Sequence, residues 1–289
     1  MRVLLTGATG FIGQYVARKL HAADIDFVTV GRTPNYVGRE HIPADLLRAT
    51  DYSQVVLSAR ATHLIHLAWY AEHGKYWSSP FNIDWLKATT DLVDTFCRLG
   101  GQHVTISGTC AEYDWTYGYC IEGVTPTNPS TIYGMAKDST RRICQNICSQ
   151  YAVPLAWGRI FFPYGRGEVT SRLLPSLSAV FQGKRDPFGI NGTHYRDFLH
   201  VSDIASALMF LSVMEADDVI NIASGEATRL QDVVQLLASK MSSDPRRILQ
   251  LMPARIGEPA FLIGASGKLA ALGWKKTVSL EQGLRDFFT

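Results

Sequence analysis

Short apolar runs alternate with longer amphipathic stretches through the first two-thirds of the chain. Runs rich in Val, Ile and Leu and bounded by turn residues read as buried strands over residues 2–6, 26–30, 63–67, 103–107 and 155–161. Between them, apolar positions recurring every three or four residues predict helices over 13–22, 83–99 and 134–151. Strands that alternate with helices are joined by right-handed crossovers, so the expected class is α/β, a doubly wound parallel sheet covered on both faces.

After Pro163 the pattern changes. Residues 164–193 are rich in Gly, Pro and Arg, with one helical stretch over 172–182. Extended pieces at 195–203 and 219–222 flank a helix at 204–214, and residues 230–241 and 280–288 are again helical in pattern. The expected division is therefore a dinucleotide-binding Rossmann domain of 1–165 plus 195–225, and a smaller C-terminal α/β substrate-binding lobe of 166–194 plus 226–289.

Composition narrows the function classes. Of 289 residues, 46% are hydrophobic and 19% charged, which suffices for a sizeable core. The net charge of +2 comes with no block of like charges, so neither nucleic acid nor a membrane surface is an expected partner. The apolar stretches at 153–162 and 207–214 are too short or interrupted to span a bilayer, and residues 1–7 are too short for a signal peptide. Five cysteines, an odd number, suggest free thiols and a cytoplasmic setting. Cys144 and Cys148 share a helix face, and the expectation is small buried side chains rather than metal ligands.

The candidate chemistry begins at Thr6-Gly7-Ala8-Thr9-Gly10-Phe11-Ile12-Gly13, directly after the first strand. Gly7 and Gly10 permit a tight turn and close approach to a pyrophosphate, and Gly13 lets the helix pack against the strand. Thr9, Phe11 and Ile12 complete the loop at a helix N-terminus, where free N–H groups face an anion. At the end of the second strand, where NAD-preferring sites place an acid for the ribose 2′-OH, stand Gly31-Arg32. Arg32 suits a 2′-phosphate, so NADP(H) is the expected cofactor, with NAD(H) possible. Asp45-Leu46 lies where the next loop passes the adenine. Further on, Tyr133 and Lys137 stand four apart at a helix start, so the ammonium can stabilise a phenolate and reach the cofactor ribose. The strand over 103–107 runs into Gly108-Thr109, whose hydroxyl is placed to hold a substrate oxygen.

With these motifs the chain resembles the extended short-chain dehydrogenase/reductases, in the NAD-dependent epimerase/dehydratase branch that works on nucleotide sugars. Matching segments include Ile65-His66-Leu67-Ala68, Tyr164-Gly165, Tyr195-Arg196-Asp197-Phe198 and Leu272-Gly273-Trp274. The resemblance implies that Tyr133 is the general acid/base, Lys137 its partner and ribose ligand, and Thr109 the third member of the triad. It puts Leu67 and Ala68 beside the cofactor, and makes Arg196 and Arg255 the grip on a substrate diphosphate, with Arg172 and Arg185 weaker candidates. It implies that 69–77, with Trp69, Tyr70, His73 and Tyr76, lines the sugar pocket, and that a homodimer forms through the helices at 83–99 and 134–151. Departures from the family pattern matter too. Dehydratases have an Asp-Glu pair after the catalytic hydroxyl, and 3,5-epimerase/reductases a cysteine two positions after it; here Thr109 is followed by Cys110-Ala111. Phe162 replaces a frequent asparagine. The expected reaction is NADPH-dependent reduction of a nucleotide-linked 4-keto-(6-deoxy)hexose, with 4-epimerisation on tightly bound NAD(P) as the alternative and a non-catalytic NADP-binding sensor as a third.

Overall fold

The computed structural model describes residues 1–34, 37, 40–253 and 258–287. In chain order the main elements are β1 (Arg2–Thr6), α1 (Phe11–Ala22), β2 (Asp26–Gly31), β3 (Glu40–Pro43), α2 (Ser53–Ala59), β4 (His63–His66), α3 (Phe81–Arg98), β5 (His103–Thr109), β6 (Tyr119–Cys120) and α4 (Ile132–Gln150). They continue with β7 (Leu155–Ile160), β8 (Phe162–Tyr164), α5 (Leu173–Phe181), β9 (Tyr195–Arg196), β10 (Phe198–His200), α6 (Val201–Val213), β11 (Asp218–Ile222), β12 (Thr228–Arg229), α7 (Leu230–Lys240) and β13 (Phe261–Gly264). Among the described residues no helix is long and apolar enough to cross a membrane.

The main sheet has seven strands in the order β11-β7-β5-β4-β1-β2-β3. β1 pairs in parallel with β2 and β4, β2 with β3, β4 with β5, and β5 with β7. The doubly wound parallel sheet expected from the sequence is therefore present. Strand order reverses between β1 and β4, and loops at the carboxyl ends of strands diverge at such a point, which opens a crevice for a ligand. Strands covered on both faces have no polar side to expose, and β4 and β7 are buried at every position. Leu4, Val28, Leu64, Val104 and Trp157 of the sheet join Leu92 and Phe96 of α3 and Cys144 and Cys148 of α4 in one core. α1 buries Val16, Ala17 and Leu20.

The chain forms two compact units. The first comprises Met1–Asp114, Pro126–Ile160 and Ile204–Ile220, and the second Trp115–Thr125, Phe161–Asp203 and Asn221–Thr289. These boundaries differ from the expected ones, because short strands recruit distant segments. β6 pairs with β13, and β13 with β9, so residues 115–125 and 195–203 join the second unit. That unit has its own core, in which Leu174 and Leu177 of α5 meet Val233, Val234 and Leu237 of α7. The extended piece expected over 195–203 also ends early, since Val201–Asp203 form the first turn of α6. Ser202 N donates to His200 Nδ1 at 3.3 Å, and Asp203 supplies the acid that a helix N-terminus favours.

Candidate active site

Gly7 adopts φ +69°, and a Cβ on it would stand 2.7 Å from both Ala68 N and the Leu67 carbonyl carbon. No side chain fits between the loops after β1 and β4. Gly10 N donates to Gly7 O at 3.0 Å, and a Cβ on Gly13 would meet Gly7 O at 2.0 Å, so α1 rises directly from the turn. At its N-terminus Gly10 offers no side-chain cap and the first turn has no acid, which leaves backbone N–H groups for an anion. Thr9 is exposed, while Phe11 and Ile12 are half-buried in the first turn. A glycine cradle closed to side chains but lined with N–H groups fits a dinucleotide pyrophosphate.

Thr6 fixes the far wall. Its Oγ1 accepts from Leu67 N at 3.1 Å and Ala68 N at 3.2 Å, so its own proton goes to His66 Nδ1 at 2.8 Å. His66 then carries its proton on Nε2 and donates to Thr89 Oγ1 at 3.0 Å. Burial, reinforced by the charge of Lys137, pushes the His66 pKa down to about 3, so the relay is neutral.

Arg32 is exposed just past β2, and no carboxylate stands beside it in Gly31-Arg32-Thr33-Pro34. Asp45 is half-exposed, accepts from Leu47 N at 3.1 Å and lies 3.7 Å from Arg48 Nε. Leu46 turns into the core and its carbonyl accepts from the Tyr52 hydroxyl at 2.6 Å, so of this pair Asp45 keeps a polar group toward solvent.

The triad is assembled where β5 ends against the start of α4. β5 runs two residues past its expected end, to Thr109. Thr109 caps the short turn Cys110–Glu112: its Oγ1 accepts from Ala111 N at 3.2 Å, and its N donates to Glu112 Oε1 at 2.8 Å. Glu112 is fully buried and held by Trp157 Nε1 at 2.9 Å and Arg159 Nε at 2.7 Å. α4 begins at Ile132, earlier than expected, because Thr131 Oγ1 accepts from Gly134 N at 3.1 Å. A Cβ on Gly134 would stand 2.2 Å from Ala111 O, so only glycine lets α4 press onto that turn. The close approach sets Tyr133 near Thr109, whose polar side chain favours the phenolate. Tyr76 and Trp77 meet the Tyr133 ring edge-on at centroid distances of 4.8 and 5.7 Å.

Desolvation raises the Tyr133 pKa above that of an ordinary phenol, Tyr76 adds to it, and the Thr109 side chain opposes it. The net direction is upward, opposite to what the ammonium of Lys137 alone would give. Lys137 is 3% exposed, donates from Nζ to Ser107 O at 2.8 Å, and lies 3.8 Å from the Trp69 ring centroid. Burial pushes its own pKa down to about 7, against Glu112 and Cys144, which favour the ammonium. Tyr133 thus keeps its proton at neutral pH and stands as a donor.

Trp69 is fixed by Asn82, whose Oδ1 accepts from the indole Nε1 at 2.9 Å. His73 is half-buried in the segment between Trp69 and Trp77. In the second unit, Arg196 is buried and donates to the carbonyls of Tyr195 and Pro259, each at 2.8 Å, and to Glu258 Oε2 at 3.1 Å. Its guanidinium ties β9 to residues 258–259. Arg255 lies outside the described residues. Arg172 Nε lies 3.8 Å from Glu168, and Arg185 Nη1 donates to Ser176 Oγ at 2.8 Å. His66 lies in a segment that carries the resemblance, yet neither it nor Asn82 or Glu112 has a role in the site that the sequence makes legible. Only the glycine next to Tyr133 hints at the close packing.

The family model described as NAD dependent epimerase/dehydratase family matches residues 3–223. A UDP-glucose 4-epimerase of Corynebacterium glutamicum is 28% identical, over 95% of this chain and 90% of that protein. The dTDP-6-deoxy-L-talose 4-dehydrogenase (NAD(+)) of Aggregatibacter actinomycetemcomitans is 23% identical, over 92% of this chain and 100% of that protein. Among solved structures, MoeE5 in complex with UDP-glucose and NAD superimposes with a TM-score of 0.86 at 26% identity, covering 99% of this chain and 97% of its own.

Proposed function

The chain belongs to the NAD dependent epimerase/dehydratase family, and from that premise we propose that it is an NADPH-dependent reductase of a nucleotide-linked 4-keto-(6-deoxy)hexose. The observation that carries the reading is Tyr133, kept protonated by burial at the start of α4, one helical turn before the buried Lys137. Gly7, Gly10, Gly13 and the first turn of α1 hold the pyrophosphate, Leu67 and Ala68 flank the cofactor, Asp45 takes the adenine amino group, and Lys137 takes the ribose. When bound, the dinucleotide supplies the hydride that a ketone carbon accepts. Charge then grows on the ketone oxygen, which Thr109 holds and Tyr133 protonates. Cys110 and Ala111 offer no acid–base pair for dehydration. Exposed Arg32 just past β2, in the carboxylate-free stretch Gly31-Arg32-Thr33-Pro34, favours the 2′-phosphate. Arg196 and Arg255 remain the proposed diphosphate grip, and Trp69 and His73 the proposed sugar-pocket wall.

Exposed Ile83 on α3 and exposed Met135 and Ile143 on α4 favour a homodimer through these helices. A second reading, 4-epimerisation on a retained cofactor, is favoured by the likeness to UDP-glucose 4-epimerases. One assay separates them. NADPH consumption is followed with CDP-, dTDP-, GDP- and UDP-linked 4-keto-6-deoxyhexoses, and UDP-glucose is incubated alone and analysed for its 4-epimer. Stoichiometric oxidation with one of the ketosugars is the expected result. Epimer formed without net cofactor turnover would overturn reduction in favour of the second reading, and inactivity in both arms would leave a binding protein.

A further inference from the structure

We propose that Trp69 is a positioning residue for Lys137, its indole face carrying the ammonium and fixing both its place and its charge. This rests on the reading of Lys137 as the partner of Tyr133, and it gives Trp69 a task other than stacking on a sugar.

Lys137 is almost wholly enclosed, and its Nζ lies 3.8 Å from the indole centroid while donating to Ser107 O at 2.8 Å. The indole is a fixed plate. Its Nε1 is held by Asn82 Oδ1, and Asn82 is itself fully buried, with its amide nitrogen donating to Tyr76 O at 2.7 Å and Ser79 O at 2.9 Å. Trp85 stacks on Trp69 with ring centroids 6.3 Å apart. The face of an aromatic ring attracts a cation within about 6 Å, and more strongly where water is excluded.

The other groups facing Lys137 come from each neighbouring element. Glu112, after β5, and Cys144, on α4, favour the ammonium; His66, on β4, is neutral; Tyr133 lies one turn earlier on the same helix and keeps its proton. Against them stands burial, which leaves Lys137 balanced near pH 7. At such a balance a ring face decides the protonation state under ordinary conditions. Its removal lets the proton leave at lower pH, and the cation beside the proton donor is lost.

The test needs neither substrate nor cofactor. Protein labelled with carbon-13 at the lysine ε carbons is titrated by NMR, and Lys137→Met assigns the signal. In the unmodified protein the Lys137 ε protons should be displaced upfield by the indole ring current and should titrate near neutrality. Trp69→Phe keeps a ring face, so its midpoint should stay close to that of the unmodified protein. Trp69→Leu keeps an apolar wall without one, and should increase the acid dissociation constant roughly 2–30-fold, lowering the midpoint by about 0.4–1.5 pH. Ordinary ε-proton shifts in the unmodified protein would overturn the proposal even if the leucine variant does not fold. So would a midpoint unchanged or raised in Trp69→Leu, or one lowered as far in Trp69→Phe. Because the readout is independent of turnover, its failure and failure of the substrate panel are separate results.

Discussion

A phenol shut in by two aromatic rings keeps its proton at neutral pH, which suits Tyr133 to the donor's part in the proposed reduction. Tyr133→Phe removes the proton donor and leaves the ring, so the variant should fold and bind NADPH normally by fluorescence. Its kcat should fall ~10²–10⁴-fold, the usual cost of losing general-acid catalysis. Thr109→Val should cost less, because it removes a holding hydrogen bond and spares the donor. A Tyr133→Phe enzyme with near-normal kcat, when chemistry is rate-limiting, would move the acid elsewhere, with His73 the next candidate. Arg32 is read as the cofactor discriminator. Its pairing with a 2′-phosphate is worth ~1.5–3 kcal/mol, or about 10–150-fold in affinity. NADPH should therefore bind more tightly than NADH, and Arg32→Ala should narrow the gap. Equal affinities in the unmodified protein defeat that reading.

Between the end of β5 and the start of α4, two elements meet at a contact that only glycine permits. Gly134→Ala sets two effects against each other. Alanine favours a helix over glycine by ~1 kcal/mol. A Cβ 2.2 Å from Ala111 O, however, forces α4 away from the turn that carries Thr109, and overpacking typically costs ~1–3 kcal/mol. The variant should melt at a lower temperature and lose kcat together, as measured by circular dichroism and turnover; a more stable variant would show that α4 does not press on the turn. This contact also marks how far a sequence can be read. Buried strands such as β1, β4 and β7 are legible because an apolar run flanked by turns has few other fates, and the glycine loop is legible because its spacing has a mechanism. β3, with both ends exposed, and the two-residue β6, β9 and β12 show no alternation, and pairing partners far along the chain define them. The same holds for Glu112, Asn82 and His66. Each is an ordinary polar residue until packing surrounds it: His66 bonds Thr6 across the sheet, and Glu112, although close in sequence to Thr109, is held by Trp157 and Arg159 of β7.

At the scale of the molecule, acid should act through histidines built into the sheet. Burial lowers the pKa of His63, His66 and His103, that of His66 from 6.5 to about 3. The unfolded chain takes up a proton on each near pH 6.5 while the folded chain refuses it, so stability falls as pH drops through the window from about 6.5 to 3. For His66 alone the full difference is on the order of 5 kcal/mol. Glu168, raised by burial to about 7, works in the opposite sense between 4.5 and 7, so the informative quantity is a difference between variants. Denaturant unfolding at several pH values should show that His66→Gln, although less stable at pH 7, loses less on acidification than the unmodified protein; parallel curves would contradict the depressed pKa. The two compact units alternate along the chain in six segments, and the last segment of the first unit ends only at Ile220. β7 is complete at Ile160, yet its outer neighbour β11 begins at Asp218. On a ribosome adding ~5–20 residues per second, the intervening stretch takes roughly 3–12 s to synthesise. Throughout that interval β7 is a bare edge, the kind of surface on which neighbouring nascent chains pair and aggregate. Slow codons placed between these two strands would lengthen the exposure, and a holding chaperone would be needed most there.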